Sequence, residues 1–383
     1  MDSTALFGDS SAGAVVIIDK TEHNMDMYYL SNFFVPDPCA YILTRTQSAL
    51  IVSDLEYGRA CQEANVGEVF RVGHVPCAEL TNGLKVSALS KSVIAYLMNH
   101  TVTKILVQET FPFRYAEELK ANNIEIEYRT EPFIPLRACK SDCEIDAIQQ
   151  AVQATEGTVE GAVAMIGAAK IKDGMLYLDD APLTAERVKA HIAQKLISEN
   201  LLALHTIVAG GIQGFDPHNR GSGMLPAHQP IILDVFPRSM DTFYFADMTR
   251  TVVKGDPDPH VVKMFDAVLD AFNRTVAQIK HGVAVKDIHA VACETLKKHG
   301  FESGMIDGLP QGFIHSTGHG VGLDIHEAPR LANTGDILQT GNVITVEPGL
   351  YYQAYGGVRL EDIVVVTETG CRNLNRLPKY LQV

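Results

Sequence analysis

Four acidic residues in the second half of the chain lie at the ends of short apolar runs, where a charged side chain is unusual. Asp234 follows the run IIL, and Asp247 follows the stretch FYFA. Glu347 follows VITV, and Glu361 follows VRL. A carboxylate at the end of a buried strand costs free energy unless it is paired or hydrogen-bonded. Any fold of this chain must therefore bring these four groups to a compensating partner.

The first two carboxylates belong to one predicted hairpin, IILDVFPRSMDTFYFADMTRT. Two apolar arms flank a polar centre, which predicts strands over Ile231–Phe236 and Phe243–Phe245. Asp234 and Asp247 are 13 positions apart, and an odd separation lets them stand directly opposite each other on one face of the hairpin. Two facing carboxylates repel unless a proton or a cation lies between them. The alternative is that either aspartate only ends a strand or caps a turn.

Three histidines, His315, His319 and His326, lie within twelve residues in the segment FIHSTGHGVGLDIHE. The first two have the spacing of a zinc-peptidase helix, but Ser316 occupies the position of its glutamate, and the interspersed glycines disfavour a helix. Leu323 stands where a nucleotide-binding loop would have its third glycine. We therefore expect the imidazoles to converge on a metal or a substrate, the alternative being ordinary structural histidines.

The charge of such a cluster indicates what could compensate it. Four buried carboxylates would be very costly without cations, and two divalent ions would neutralise them almost completely. A single zinc ion would not, and structural zinc prefers cysteine or histidine. Oxygen-rich ligation with one imidazole suits a pair of Mn²⁺, Co²⁺, Fe²⁺ or Zn²⁺ ions, which lowers the pKa of a bridging water. An ion pair with Arg359 is an alternative use of a glutamate in this segment.

The remaining sequence predicts an α+β protein with two domains. Short apolar runs alternate with helical stretches over residues 1–135, which indicates a smaller α/β domain. Two prolines in Glu131–Leu136 predict a linker. The larger domain, 136–383, begins with a helix at which Ser141 and Glu144 have the spacing of a capping box.

Composition excludes several classes of protein. The 383 residues carry a net charge of −14, which argues against a nucleic-acid partner. The apolar runs are too short for a membrane span or a secretory signal. Seven dispersed cysteines without a CxxC pair predict reduced thiols and a cytoplasmic location.

In order and spacing, these motifs resemble the pita-bread (creatinase/aminopeptidase) metallopeptidases, and most of all their Xaa-Pro branch, prolidase and aminopeptidase P. The resemblance extends from about Ser141 to Thr367, whereas the N-terminal third resembles that branch's creatinase-like domain in length and element order only. It implies five ligands for two divalent metals (Mn, Co or Zn): Asp234, Asp247, His319, Glu347 and Glu361. Of these, Asp247 and Glu361 would bridge the two metals. In the family the two aspartates are usually two residues closer together, which predicts an altered hairpin tip with the same parity.

The resemblance also assigns roles to residues around the metals. His218 and His326 would line the active site and stabilise the tetrahedral intermediate or assist proton transfer. His315 would contact the substrate near its proline. Glu347 would also be the general base for the bridging water, and Arg359 would support the ligands from behind.

The implied activity is hydrolysis of the Xaa-Pro bond by a hydroxide bridging two metals, in a homodimer by analogy. Dipeptides and longer peptides both remain possible substrates. Arg330 stands where some prolidases bind the free carboxylate of a dipeptide, although a surface arginine needs no function. A non-peptidase binding protein or another hydrolase on the same scaffold is the alternative, which the five ligand types disfavour.

Overall fold

The computed structural model describes residues 6–383. The chain divides into two compact units, Met1–Arg137 and Ala138–Val383. The helices are α1 (Met25–Ser31), α2 (Asp54–Glu63), α3 (Ala88–Asn99), α4 (Phe113–Lys120), α5 (Asp142–Ala168), α6 (Ala185–Ser198), α7 (Pro259–Gln278) and α8 (Val285–Lys298). No helix within residues 6–383 is both long and apolar enough to cross a bilayer.

The first unit is a mixed six-stranded sheet covered on both faces. Its strands are β1 (Ala14–Asp19), β2 (Cys39–Thr44), β3 (Ser48–Val52), β4 (Glu68–Arg71), β5 (Lys104–Gln108) and β6 (Glu125–Arg129). They are ordered β4-β3-β2-β1-β5-β6. Alternate residues of β1 enter different hydrophobic clusters: Val16 and Ile18 pack towards α3 and α4, whereas Val15 and Ile17 pack towards α1 and α2. Burial on both faces explains why the run is apolar without alternation.

The second unit contains the remaining strands, whose main pairings are antiparallel. They are β7 (Lys170–Lys172), β8 (Met175–Leu178), β9 (Ala181–Pro182), β10 (Leu201–Leu202), β11 (Ile207–Gly210), β12 (Ile231–Val235), β13 (Arg238–Ser239), β14 (Met248–Val252), β15 (Gly304–Ile306), β16 (Leu309–Gln311), β17 (Gly318–Gly320), β18 (Glu327–Leu331), β19 (Val343–Val346), β20 (Gly349–Tyr352), β21 (Gly356–Arg359), β22 (Asp362–Val366) and β23 (Cys371–Asn373). The larger sheets are ordered β11-β12-β14 and β18-β17-β19-β22-β23.

Two helix pairs cover these sheets. Helices α5 and α6 pack on β11, β12 and β14, and α7 and α8 pack on the strands from β18 to β21. The predicted start of α5 is confirmed, because Ser141 is its N-cap and the Ser141 N–H donates to the Glu144 carboxylate at 2.8 Å. The α+β class predicted from the sequence is therefore confirmed.

The side chains of β12 alternate between the helices and the interior of the second unit. Ile231 and Leu233 enter the cluster beneath α5 and α6. Ile232 packs on the opposite face, with Tyr351. Because side chains on a strand alternate, Asp234 shares the face of Ile232. The strand therefore directs this carboxylate away from the helices.

One predicted strand is wrong. Residues 243–245 follow a turn at residues 240–242, Phe243 has a φ of +63° and Phe245 forms only an isolated bridge with Arg238, so the second arm of the hairpin begins at Met248. The aromatic side chains contact other elements instead of extending a ladder: the Phe243 ring lies 4.6 Å from the Arg238 guanidinium, and the Tyr244 hydroxyl donates to Glu144 at 2.5 Å.

Candidate metal centre

Five carboxylate and imidazole side chains converge from five separate parts of the second unit. Asp234 lies on β12, and Asp247 immediately precedes β14. His319 is the middle residue of β17. Glu347 follows β19, and Glu361 lies between β21 and β22. Asp247, Glu347 and Glu361 thus lie just outside strands, whereas Asp234 and His319 lie within strands and have ladder partners.

The two aspartates share one face of the hairpin but are not directly opposite, so this part of the prediction is wrong. Asp234 pairs with Thr249, and Val235 pairs with Met248. Continuing this register would place Asp247 opposite residue 236, two pairs beyond Asp234 and diagonally across the hairpin. The odd separation still places both carboxylates on the same face.

The core of the cluster consists of Asp247, His319 and Glu361. One ligand atom from each lies within 4.8 Å of the other two, and all three residues are buried. His319 Nε2 lies 3.6 Å from Asp247 Oδ2 and 3.6 Å from Glu347 Oε1. His319 Nδ1 lies 3.1 Å from the Gly320 carbonyl oxygen, which assigns the proton to Nδ1. The lone pair of Nε2 is thus directed at the carboxylates, as in a metal-ligating histidine.

Electrostatics make this cluster unfavourable without a cation. Burial, together with the neighbouring carboxylate charges, raises the pKa of Asp247 and Glu347 well above the usual values. The same causes raise the pKa of Glu361 to about 8. Burial lowers the pKa of His319 to about 3, so its ring is neutral. Divalent cations would reverse the carboxylate shifts, because they favour the charged forms.

Asp234 has one oxygen engaged and one free. Its Oδ2 accepts from Arg359 Nη2 at 2.6 Å, whereas its Oδ1 is buried without a hydrogen-bond partner in the part of the chain described. A buried, unpartnered carboxylate oxygen beside other ligand atoms fits a metal-binding role. The residues present therefore fit divalent metal ions.

Arg359 connects the cluster to two residues that the sequence analysis missed. Its Nη1 donates to the Tyr351 hydroxyl at 2.7 Å and its Nε to Thr249 Oγ1 at 3.2 Å. Thr249 Oγ1 in turn donates to Glu361 Oε2 at 2.7 Å. The strand alternation could have identified Thr249, which is two residues after Asp247 and shares its face. No sequence signal distinguished Tyr351 from the adjacent tyrosine.

His315 is fixed by hydrogen bonds on both ring nitrogens. Because Arg359 already donates to the Tyr351 oxygen, the Tyr351 hydroxyl donates to His315 Nε2, at 3.0 Å. The Nδ1–H then donates to the Ser316 carbonyl at 2.8 Å. Burial lowers the pKa of His315 to about 3. The ring, which packs edge-on to Phe313 at 5.1 Å, is therefore neutral and offers its carbon surface.

The other predicted site residues lie towards solvent. The exposed His326 packs edge-on to His319, with ring centroids 4.4 Å apart. Arg330 is exposed and is the cross-strand partner of His319. His218 is exposed on the loop after the 3₁₀ turn Gly211–Phe215, and its N–H donates to Asp216 at 3.1 Å. Partial desolvation of its ring and then the charge of His218 lower the pKa of His326, and the second cause indicates that the two histidines are close.

The glycines beside His319 allow close strand packing. A Cβ atom on Gly318 would lie 2.8 Å from the Thr345 carbonyl carbon, and one on Gly320 would lie 2.6 Å from that of Ala328. The strand that carries His319 could not approach β18 and β19 with larger residues at these positions.

Comparison with known proteins agrees with this geometry. Residues 146–368 match the model of metallopeptidase family M24. The chain is 28% identical over 380 residues to the Xaa-Pro dipeptidase of Pyrococcus horikoshii, covering 98% of this chain and 96% of that one. The crystal structure of the prolidase from the same organism superposes with a TM-score of 0.80 at 26% identity, over 99% of both chains. The X-Pro aminopeptidase of Thermotoga maritima gives 0.79 at 25% identity, over 97% of this chain and 98% of that one. The expected pita-bread fold is thereby confirmed, and the chain belongs to metallopeptidase family M24.

Proposed function

We propose that this protein hydrolyses the Xaa-Pro peptide bond with two divalent metal ions. In this proposal residues 136–383 form the catalytic domain and residues 1–135 a creatinase-like N-terminal domain. The observation that carries the proposal is the buried set of Asp247, His319 and Glu361, with ligand atoms within 4.8 Å of one another.

The metal ions would be held by five residues, Asp234, Asp247, His319, Glu347 and Glu361. The family resemblance implies that Asp247 and Glu361 would each hold both ions, and both residues lie in the buried core of the cluster. When bound, paired Mn²⁺, Co²⁺ or Zn²⁺ ions lower the pKa of a water molecule and polarise a carbonyl group.

Glu347 is suited to accept a proton in this site. It is the most exposed of the carboxylates, with 15% of its side chain accessible. Bound cations would keep this carboxylate ionised, as a general base must be before it accepts a proton. We assign Glu347 as general base, and His326 and His218 as the groups that assist proton transfer or stabilise the tetrahedral intermediate.

The surroundings of His315 suit a proline ring. The bond before proline is a tertiary amide without an N–H, so the substrate has no donor at this position. The His315 ring has no free nitrogen, and together with Phe313 it provides an apolar surface. Arg330, exposed beside β17, would bind the carboxylate of a short substrate.

A comparison of two substrates tests the activity and the substrate length together. With Mn²⁺ present, hydrolysis of an Xaa-Pro dipeptide is compared with that of an Xaa-Pro-Yaa-Yaa peptide. We expect the dipeptide to be cleaved with the higher kcat/KM, and Arg330→Ala to raise KM for it selectively. Preference for the longer peptide would make the protein an aminopeptidase. No cleavage of either peptide by protein that binds metal would favour a binding role on the same scaffold.

We further propose that the enzyme is a cytoplasmic homodimer and that Mn²⁺ supports the highest activity. Light scattering after size exclusion tests the dimer. Activity of protein stripped of metal and reloaded separately with Mn²⁺, Co²⁺ or Zn²⁺ tests the metal preference.

A further inference from the structure

A buried ion pair lies behind the strand that carries His319. The Lys140 side chain is only 1% exposed, and its ammonium group pairs with the Glu327 carboxylate, which is 10% exposed. Desolvation offsets much of the attraction within such a pair, so net stability alone is a weak reason for burying it. Neither residue belongs to the proposed ligand set.

The backbone of Lys140 is held in place from two sides. Its N–H donates to the Gly341 carbonyl at 2.8 Å. The preceding residue, Cys139, forms a bridge to Asn342, whose side-chain amide donates to the Ala138 carbonyl at 2.9 Å. Residues 341 and 342 directly precede β19, the strand that leads to Glu347. The ammonium group therefore projects from a fixed point next to the site.

The Glu327 carboxylate lies against Gly322. A Cβ atom on Gly322 would be 2.8 Å from the Glu327 carboxyl carbon, so a larger residue here would displace the carboxylate. The Gly322 carbonyl accepts from the Phe245 N–H at 2.8 Å, two residues before Asp247. The ion pair is thus surrounded by segments that carry proposed ligands.

Glu327 is also the residue at which the pairing of β17 and β18 changes register. His319 pairs with Arg330, but the next residue, Gly320, pairs with Glu327. Ala328 and Pro329 are the extra residues of this bulge. A bulge re-aims the side chains beside it, and these include His319, His326 and Arg330.

We propose that Lys140 and Glu327 are positioning residues. Their ion pair fixes the β17–β18 bulge, and thereby directs His319 to the metal site and holds His326 against His319. Part of this inference, the role of His326 in turnover, rests on the proposed function. The effect on His319 concerns metal binding alone.

The test uses Lys140→Met, Glu327→Gln and the double variant, with thermal unfolding, calorimetric Mn²⁺ titration and kcat and KM as readouts. Each single variant removes the ion pair but keeps one of its two charges, and should lower both stability and Mn²⁺ affinity. Partners that orient metal ligands typically change affinity by about 10- to 100-fold. The double variant removes both charges, so its stability should recover, whereas Mn²⁺ affinity and kcat should stay at least about 10-fold low because the bulge is no longer fixed.

A matched control is Arg137→Met in the first unit. This substitution breaks the ion pair of Arg137 with Asp26, whose side chains are 11% and 5% exposed. It should lower stability without changing Mn²⁺ affinity. Recovery of Mn²⁺ affinity together with stability in the double variant would overturn the positioning role. Wild-type protein that binds Mn²⁺ but cleaves no Xaa-Pro peptide would overturn the proposed function alone, because the affinity comparison still decides the role of the ion pair.

Discussion

Arg359 and Asp234 form a buried ion pair, with Nη2 and Oδ2 2.6 Å apart, at the edge of the candidate metal centre. Only one oxygen of the aspartate is engaged, so the arginine can fix the carboxylate while the second oxygen remains directed at the cluster. The sequence allows Arg359 to form an ion pair with a glutamate as an alternative. The structure instead pairs it with the aspartate on β12.

This ion pair should contribute differently with and without metal. Replacing Arg359 by Met leaves Asp234 buried and unpaired, and loss of one partner of a buried pair costs about 3–5 kcal/mol. We expect such a loss of unfolding free energy in EDTA and a smaller one with Mn²⁺, because a cation would partly replace the guanidinium. Urea unfolding in both buffers measures it. Tyr351→Phe, which removes one hydrogen bond to the same arginine and one to His315, serves as the control and should cost about 1 kcal/mol for each lost hydrogen bond. Equal losses with and without Mn²⁺ would contradict the expectation.

Glu361 is the most buried ligand candidate, at 2% exposure. Glu361→Ala should abolish Xaa-Pro hydrolysis. It should also weaken Mn²⁺ binding by well over about 100-fold, which is the upper range for residues that only orient a metal ligand. Metal content by mass spectrometry and kcat/KM are the measurements. Glu294→Ala, an exposed glutamate on α8, should leave both unchanged. Unimpaired turnover in the Glu361 variant would remove this residue from the ligand set.

The sequence located the converging residues better than it predicted the contacts between them. Strand patterning indicated the four carboxylates, and the family resemblance selected His319 from the three histidines. The partner of Arg359, however, depends on the strand register, in which Asp234 pairs with Thr249. That register is set by the residue at which the second arm of the hairpin begins. The strand propensity of the aromatic residues 243–245 predicts that they begin that arm. Propensity does not take into account tertiary contacts such as the hydrogen bond of Tyr244 with Glu144.

The metal-free protein should become less stable as the pH rises above 6.5. Burial and neighbouring charges raise the pKa of Glu361 from 4.5 to about 8, so the folded state holds a proton that the unfolded chain releases above about pH 4.5. The unfolding free energy therefore falls as the pH increases towards 8, by up to about 1.4 kcal/mol per pH unit for each retained proton. Below pH 6.5 the buried His315 and His319, with pKa values of about 3, stay neutral in the folded state but take up protons when the chain unfolds. Their contribution to the unfolding free energy therefore rises with pH, opposite to that of Glu361.

Urea unfolding in EDTA between pH 6.5 and 8.5 measures this effect. Glu361→Gln should reduce the slope, because the amide does not titrate. Saturating Mn²⁺ should also remove it, because bound cations keep the carboxylates ionised in the folded state. A flat profile in EDTA would mean that the carboxylates are ionised in the metal-free protein.

Close packing of β17 against β19 should be as necessary for metal binding as the ligands themselves. In Gly318→Ala the new Cβ would lie 2.8 Å from the Thr345 carbonyl carbon, so β17 must move away from β19. Overpacking of this kind costs about 1–3 kcal/mol, and the shift displaces His319, the next residue. We expect lower stability and weaker Mn²⁺ binding together. Gly335→Ala is the matched control, because a Cβ there meets nothing within 4 Å, and both quantities should stay at the wild-type level. Wild-type Mn²⁺ affinity in Gly318→Ala would show that His319 reaches the metal without this packing.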